Sequence, residues 1–206
     1  MEDQGVSAVI DIGTNTFNLL IANRSTSGLT IIESHKVAVS LGMGGINEGV
    51  LADDAIQRAL DAFEKFRGIL LNYPVVQPIL IATSAVRDAK NATEFTSAIF
   101  DRFAWSVTVV SGMKEAELIY KGVGLCYDFK EHTLIMDIGG GSTEFIEANN
   151  EGICSEVSLN IGVSRLYQGS SVNDPFTAKD VLQIESFLDE RSMGFFSDKS
   201  IPALLG

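Results

Sequence analysis

Two short segments carry residue types that could handle phosphate. Residues 132–145 read HTLIMDIGGGSTEF: an apolar run ends at Asp137, then come Gly139, Gly140 and Gly141, then Ser142, Thr143 and Glu144. Residues 9–20 read VIDIGTNTFNLL, where an apolar run ends in Asp11, Ile12 and Gly13 and is followed by Thr14, Asn15 and Thr16. Glycine lets the backbone turn tightly and approach a ligand with no side chain in the way. Successive amides in such a turn can cradle phosphate oxygens. A glycine-rich hairpin is the plainer alternative for either segment alone. Two segments of one design point to two related half-domains whose loops face across a cleft, an arrangement suited to a multiply charged phosphate.

Two charged side chains join this candidate machinery. Arg87 follows the apolar stretch 75–82 and lies just beyond the end of an expected buried strand, where an α/β site places its ligands. A bidentate guanidinium there could clamp phosphate; a salt bridge to Asp88 or another carboxylate is the equal alternative. Glu115 lies in the first turn of an expected helix directly after a strand and turn, so its carboxylate can face a cleft. Acids at helix N-termini are also common simply as dipole partners.

The elements that must position these residues follow from hydrophobic periodicity. Strands are expected at 6–12, 17–22 and 29–40, joined by connections too short for a crossover helix and therefore antiparallel. Residues 41–49 contain four glycines and are expected to form a mobile loop. Asp53 or Asp54 is expected to cap a helix reaching residue 70, with Ile56, Leu60, Phe63 and Phe66 inward. A strand at 75–82, its start limited by Pro74 and Pro78, precedes a helix at 93–102 with Phe95, Ile99 and Phe103 inward, a strand candidate at 105–110 and a helix at 114–126. The apolar stripe of that last helix is Ala116, Ile119, Tyr120 and Val123. The polar stretch 127–131 is taken as the boundary between a first domain, 1–127, and a second, 128–206. Strands at 132–138, 143–149 and 152–159 repeat the first meander. A turn is expected at Asn173, Asp174 and Pro175. Thr177 and Asp180 then form a capping box for a helix with Val181, Ile184 and Leu188 inward. Residues 201–206 look like the start of another element, so the second domain is expected to be incomplete.

Composition narrows the partners. The 206 residues carry a net charge of -12, which argues against a general nucleic-acid binder. A polyanionic ligand then needs local positive charge, backbone donors or a divalent cation. His35 and His132, the two histidines, are too few for a histidine metal cluster. Cys126 and Cys154 lack metal-ligand spacing and are expected to be buried, reduced thiols. No apolar run reaches transmembrane length and the N-terminus is not a signal peptide, so a cytoplasmic protein with no membrane partner is expected.

Five segments in order, DIGTNTFNLLIA at 11–22, ATSAVRDAKNATEF at 82–95, SGMKEAELIYKGV at 111–123, DIGGGSTEF at 137–145 and SLNIGVSRLY at 158–167, give the chain its resemblance to a known family. It resembles the exopolyphosphatase/guanosine pentaphosphate phosphohydrolase (Ppx/GppA) family, within the superfamily of actin-like, sugar-kinase-like and Hsp70-like ATPases. The resemblance implies an α/β fold of two ribonuclease H-like (actin-like) domains, mixed sheets flanked by helices, with an interdomain cleft. It implies that Glu115 is the general base activating water, that Asp137 and Glu144 coordinate metal or position water, and that Arg87 is a cleft arginine. Gly13, Thr14, Asn15 and Thr16 correspond to the first phosphate loop and Gly139, Gly140, Gly141, Ser142 and Thr143 to the second. Asp11, Asp137 and Glu144 are hard oxygen ligands, which suits Mg²⁺ or another divalent cation better than zinc. Members of the family are longer than this chain.

The leading expectation is hydrolysis of terminal phosphate from inorganic polyphosphate. Guanosine pentaphosphate is the closest alternative substrate. An ATP-dependent sugar kinase and a noncatalytic phosphate-ligand binding protein are the alternatives from other classes. A homodimer is left open.

Overall fold

Alternating burial along largely apolar strands builds the first sheet. β1 (Gly5–Ile12) buries Ala8, Ile10 and Ile12, and β2 (Thr16–Ser25) buries Phe17, Leu19 and Ile21. A period of two puts these six side chains on one face. β3 (Gly28–Ala38) completes the antiparallel meander. After α1 (Asp53–Leu70), β4 (Ile79–Ala82) pairs parallel with β1, and β5 (Val107–Val109) pairs parallel with β4. The sheet order is β3-β2-β1-β4-β5. Between β4 and β5 lie a single helical turn, α2 (Ser84–Arg87), and α3 (Ala92–Phe103). The computed structural model describes residues 5–26, 28–75, 77–129, 132–169, 175–196 and 204–205.

α1 and α3 share one core with the inner face of this sheet. Phe63 is fully buried, with the rings of Phe17, Phe103 and Trp105 at 5.1, 5.9 and 6.2 Å. A phenylalanine buried to this degree contributes about 2–3 kcal/mol. The expected inward residues Phe95, Ile99 and Phe103 are buried, and Ile56 and Leu60 pack partly buried against the same core. Neither Asp53 nor Asp54 caps α1. Ala52 occupies the N-cap without a side-chain bond, and both acids sit in the first turn, where they complement the helix dipole. β4 starts only after Pro78, which has no N–H to give the ladder.

Residues 41–49 are ordered turns rather than a free loop. The Gly42 amide donates to Thr14 O (3.0 Å), Ile46 N to Gly42 O and Val50 N to Gly45 O, and the Lys90 amide holds Gly49 O at 2.8 Å. Asn91 bonds both the N–H and the C=O of Leu51, each at 2.9 Å. The glycines therefore serve tight internal turns, with Leu41 and Ile46 buried beneath them.

The chain divides into two compact units after Val110, not after residue 127 as the polar stretch suggests. The cause is α4 (Gly112–Val123). Its stripe of Ala116, Ile119, Tyr120 and Val123 packs with Phe129, Ile135, Ile146 and Ile153, all from the second unit. That unit repeats the first meander as β6 (Thr133–Ile138), β7 (Thr143–Asn149) and β8 (Gly152–Leu159). α5 (Val163–Gly169) and α6 (Ala178–Phe196) follow, and β9 (Leu204–Leu205) pairs parallel with β6. The order β8-β7-β6-β9 matches β3-β2-β1-β4. This is a mixed α/β fold with sheets flanked by helices, as expected.

The sheet's two faces are covered by different helices. α4 covers Ile135 and Ile146, while Phe187 and Leu188 of α6 pack on Leu134 and Phe145. Val181 is exposed, contrary to expectation, because the half-buried stripe of α6 runs through Phe187, Leu188 and Phe195. Thr177 and Asp180 do form the reciprocal capping box: Thr177 N donates to Asp180 Oδ2 (2.7 Å) and Asp180 N to Thr177 Oγ1 (3.3 Å). The turn expected at Asn173 and Asp174 lies outside the described residues. Both cysteines are exposed rather than buried. Cys126 lies in the turn after α4, and Cys154 is the extra residue where the β7–β8 register shifts, so neither joins a packed face. Among the described residues, no helix is long and apolar enough to cross a membrane.

Candidate functional site

Each unit presents a strand–turn–strand element of the same design. In the first, β1 ends in Asp11 and Ile12, and the Gly13 amide closes the turn on Thr16 O at 3.2 Å. In the second, β6 ends in Asp137 and Ile138, and the Gly139 amide closes on Ser142 O at 2.9 Å. The ladders are superimposable in register: Asp11 opposes Asn18, and Asp137 opposes Glu144.

In the first unit, the loop is pinned from behind. The Thr14 carbonyl takes the Gly42 amide, and the Asn15 carbonyl takes the amides of Val39 (2.9 Å) and Ser40 (2.8 Å). The Thr14 hydroxyl is buried 3.0 Å from the buried Ser84 hydroxyl, so it ties β1–β2 to the start of α2. Asn15 is exposed at the tip and Thr16 half-buried. Asp11 Oδ2 accepts a hydrogen bond from Asn18 Nδ2 at 3.0 Å. Both line a depression of about 470 Å³ with Leu20, Ser34 and Lys36. Arg87 ends α2. Its Nε lies 3.5 Å from Asp88 Oδ1, and its Nη1 donates to Val110 O at 3.4 Å. The salt bridge that the sequence offered as an alternative is thus formed, at long range.

In the second unit, the glycine loop lies against the start of α5. The amides of Val163 and Ser164 donate to the carbonyls of Gly139 (3.0 Å) and Gly140 (2.8 Å). Only glycine fits at 162, because a Cβ there would lie 2.3 Å from the Gly140 carbonyl carbon. The Thr143 hydroxyl donates to Ile161 O at 2.6 Å and so braces the same junction. The side chains of Thr14 and Thr143 thus brace their loops from within, which leaves ligand contact there to backbone groups.

Three carboxylates gather beside this loop. Asp137 and Glu144 are cross-strand partners, and Glu144 also lies within electrostatic reach of Glu115. What brings Glu115 there is Gly112, where a Cβ would sit 2.4 Å from Ser158 Cβ, so the first turn of α4 can lie directly on β8. Ser111 caps that turn, its hydroxyl accepting from Lys114 N at 3.2 Å. Glu144 is buried and is pushed up from its ordinary 4.5 to about 7. Burial is the main cause, reinforced by the charges of Glu115 and Asp137 and opposed by hydrogen bonds from Ser158 (2.6 Å) and Ser142. Asp137 is exposed as a residue, yet neighbouring protein atoms thin the water around its carboxylate and raise it too.

Asp137 and Glu144 form a two-carboxylate, hard-oxygen set whose charges nothing in the pair neutralises. Among the described residues, no group of three or more His, Cys, Asp or Glu side chains converges to hold a metal. A two-carboxylate set is what Mg²⁺ uses when water and substrate phosphate complete its shell. Sequence reasoning missed Asn18, Ser84 and Ser158; the two serines act through partners 70 and 14 residues away. The spacing of Asn18 from Asp11 matches that of Glu144 from Asp137, which is the one signal that could have flagged it.

Residues 20–195 match the family model for the Ppx/GppA phosphatase family. A bifunctional 3-dehydroquinate synthase/phosphatase of Fusobacterium nucleatum is 38% identical over 176 residues, covering 81% of this chain and 26% of that protein. A guanosine-5'-triphosphate,3'-diphosphate pyrophosphatase of Pseudoalteromonas translucida is 36% identical over 159 residues, 77% of this chain and 32% of that protein. The crystal structure of an exopolyphosphatase from Cytophaga hutchinsonii aligns with a TM-score of 0.90 at 36% identity, over 98% of this chain and 67% of that one. The chain therefore spans a quarter to a third of the length of these two sequence relatives.

Proposed function

The chain belongs to the Ppx/GppA phosphatase family, and on that premise we propose that it takes part in hydrolysis of a terminal phosphoanhydride, with inorganic polyphosphate as substrate. The observation that carries this reading is the seat of Gly112 on Ser158, which brings Glu115 to the acids of the glycine-loop strands. Water is a poor nucleophile and phosphate oxygens repel it. Glu115 accepts a proton from water as the new O–P bond forms. The bridging P–O bond breaks, and its electron pair leaves on the shortened chain, releasing inorganic phosphate.

The remaining residues hold the substrate for that step. Backbone donors around Gly13, Asn15 and Thr16, and around Gly139, Gly140, Gly141 and Ser142, bind phosphate oxygens. Arg87 exchanges its long contact with Asp88 for the equatorial oxygens. Asp137 and Glu144 hold Mg²⁺ or another divalent cation, with Asp11 the further candidate ligand. When bound, the cation supplies neutralisation of phosphate charge. The raised acids of the pair fit this role: burial raises both, like charges add to it at Glu144, and a bound cation would favour their ionised forms.

The test is phosphate release from tripolyphosphate and longer chains with Mg²⁺ present. Glu115→Gln is expected to lower kcat by about 10²–10⁴-fold with folding retained. Equal release by both proteins would remove Glu115 from the mechanism. A second substrate, guanosine pentaphosphate, is favoured by the activity named for the Pseudoalteromonas relative. Parallel turnover of the two substrates separates the readings.

A further inference from the structure

Three consecutive carbonyls of the second glycine loop are taken by three consecutive residues. Val163 N holds Gly139 O and Ser164 N holds Gly140 O. The third contact is a side chain: Arg165 Nε donates to Gly141 O at 2.6 Å. A trans peptide carries its C=O and the next N–H on opposite sides. Holding these oxygens against α5 therefore turns the N–H groups of Gly140, Gly141 and Ser142 to the other side. Among the described residues, the Gly140 and Gly141 amides donate to no backbone carbonyl. In the first unit backbone amides do the corresponding work: Gly42 N holds Thr14 O, and Val39 N and Ser40 N hold Asn15 O.

We propose that Arg165 is a positioning residue whose guanidinium fixes the Gly141–Ser142 peptide so that the Ser142 amide faces the bound phosphate. The glycines that make the loop also leave that peptide easy to rotate, and residue 165 is where a side chain has to replace a backbone pin. The charge assists because a donor on an ionised group makes a shorter and stronger bond. This inference rests on the reading of the loop as a phosphate site.

Two variants separate positioning from direct charge. Arg165→Gln keeps an N–H donor at the place of Nε and loses the charge; Arg165→Met keeps the length and loses both. With tripolyphosphate, Arg165→Met is expected to raise KM about tenfold, while Arg165→Gln stays within about twofold of wild type. Equal impairment of the two would place the charge on the phosphate itself and overturn the proposal, as would a wild-type KM in Arg165→Met. A readout without ligand decides the matter even if the chain releases no phosphate: the ¹⁵N–¹H resonances of Gly141 and Ser142. They should move in Arg165→Met and keep close to wild type in Arg165→Gln. Resonances unmoved in Arg165→Met overturn the inference. Absence of phosphate release by wild type with the expected resonance changes counts against the hydrolase reading alone.

Discussion

The β1–β2–β3 and β6–β7–β8 meanders share strand order, turn closure and even the place of the register shift, after Ile21 in β2 and after Glu147 in β7, yet they treat their acid differently. Asp11 faces an amide, and Asn18 supplies it a hydrogen bond. Asp137 faces another acid, and Glu144 is held near neutrality by burial and by two like charges. One pair is satisfied within the fold. The other is a concentration of negative charge that a cation or a proton must relieve. The same backbone frame thus carries a hydrogen-bonded Asp–Asn pair in one copy and two facing acids in the other through a single change of type, Asn to Glu, at the position opposite the strand-end Asp.

The largest effect that would sharpen this contrast is on catalysis. Asp137→Asn should lower phosphate release about a hundredfold and raise the Mg²⁺ concentration needed, because one of two cation ligands is lost. Unchanged release across a Mg²⁺ titration would dissolve the distinction between the two pairs. Next in size is a stability effect in chelator. The folded-state value of Glu144 lies above its ordinary one, so its fold favours the protonated form. Stability is then full below pH 4.5 and falls as pH rises towards about 7. Glu144→Gln, which cannot ionise, should match wild type below pH 4.5 and exceed it by on the order of 2 kcal/mol at pH 8. Denaturation midpoints at both pH values check this; a variant less stable at pH 8 would contradict it. The smallest effect has the opposite sign. Asn18→Ala removes the amide donor to Asp11 and should cost about 1 kcal/mol at neutral pH, read from a urea midpoint.

Much of the molecule was legible in its sequence because the signals are local. Apolar runs ending in turns marked the strands of both meanders, helical spacing marked the stripes of α1, α3 and α4, and the Thr177–Asp180 spacing marked a cap. Other readings failed, most of them where distant partners decide. The glycines of 41–49 looked like a mobile loop until Thr14, Lys90 and Asn91 supplied partners from elsewhere in the chain. Cys154 looked buried until the register shift on β8 left it outside the ladder. Asp53 and Asp54 resembled caps but fall one turn position too late. The polar stretch at 127–131 resembled a domain boundary, whereas the apolar stripe of α4 puts the division at Val110.

That last difference also brings three acids together. The sequence by itself determined two glycine turns after strand-end acids, an arginine after a buried strand and a glutamate in a first helical turn, because each depends on residues only a few positions apart. Only tertiary structure decided that Glu115 keeps company with Asp137 and Glu144. That depends on a glycine at 112 having no side chain where Ser158 of β8 lies, a contact between residues far apart in the chain. Charge repulsion and burial act through space, so the raised Glu144 exists only once the fold has gathered the three acids.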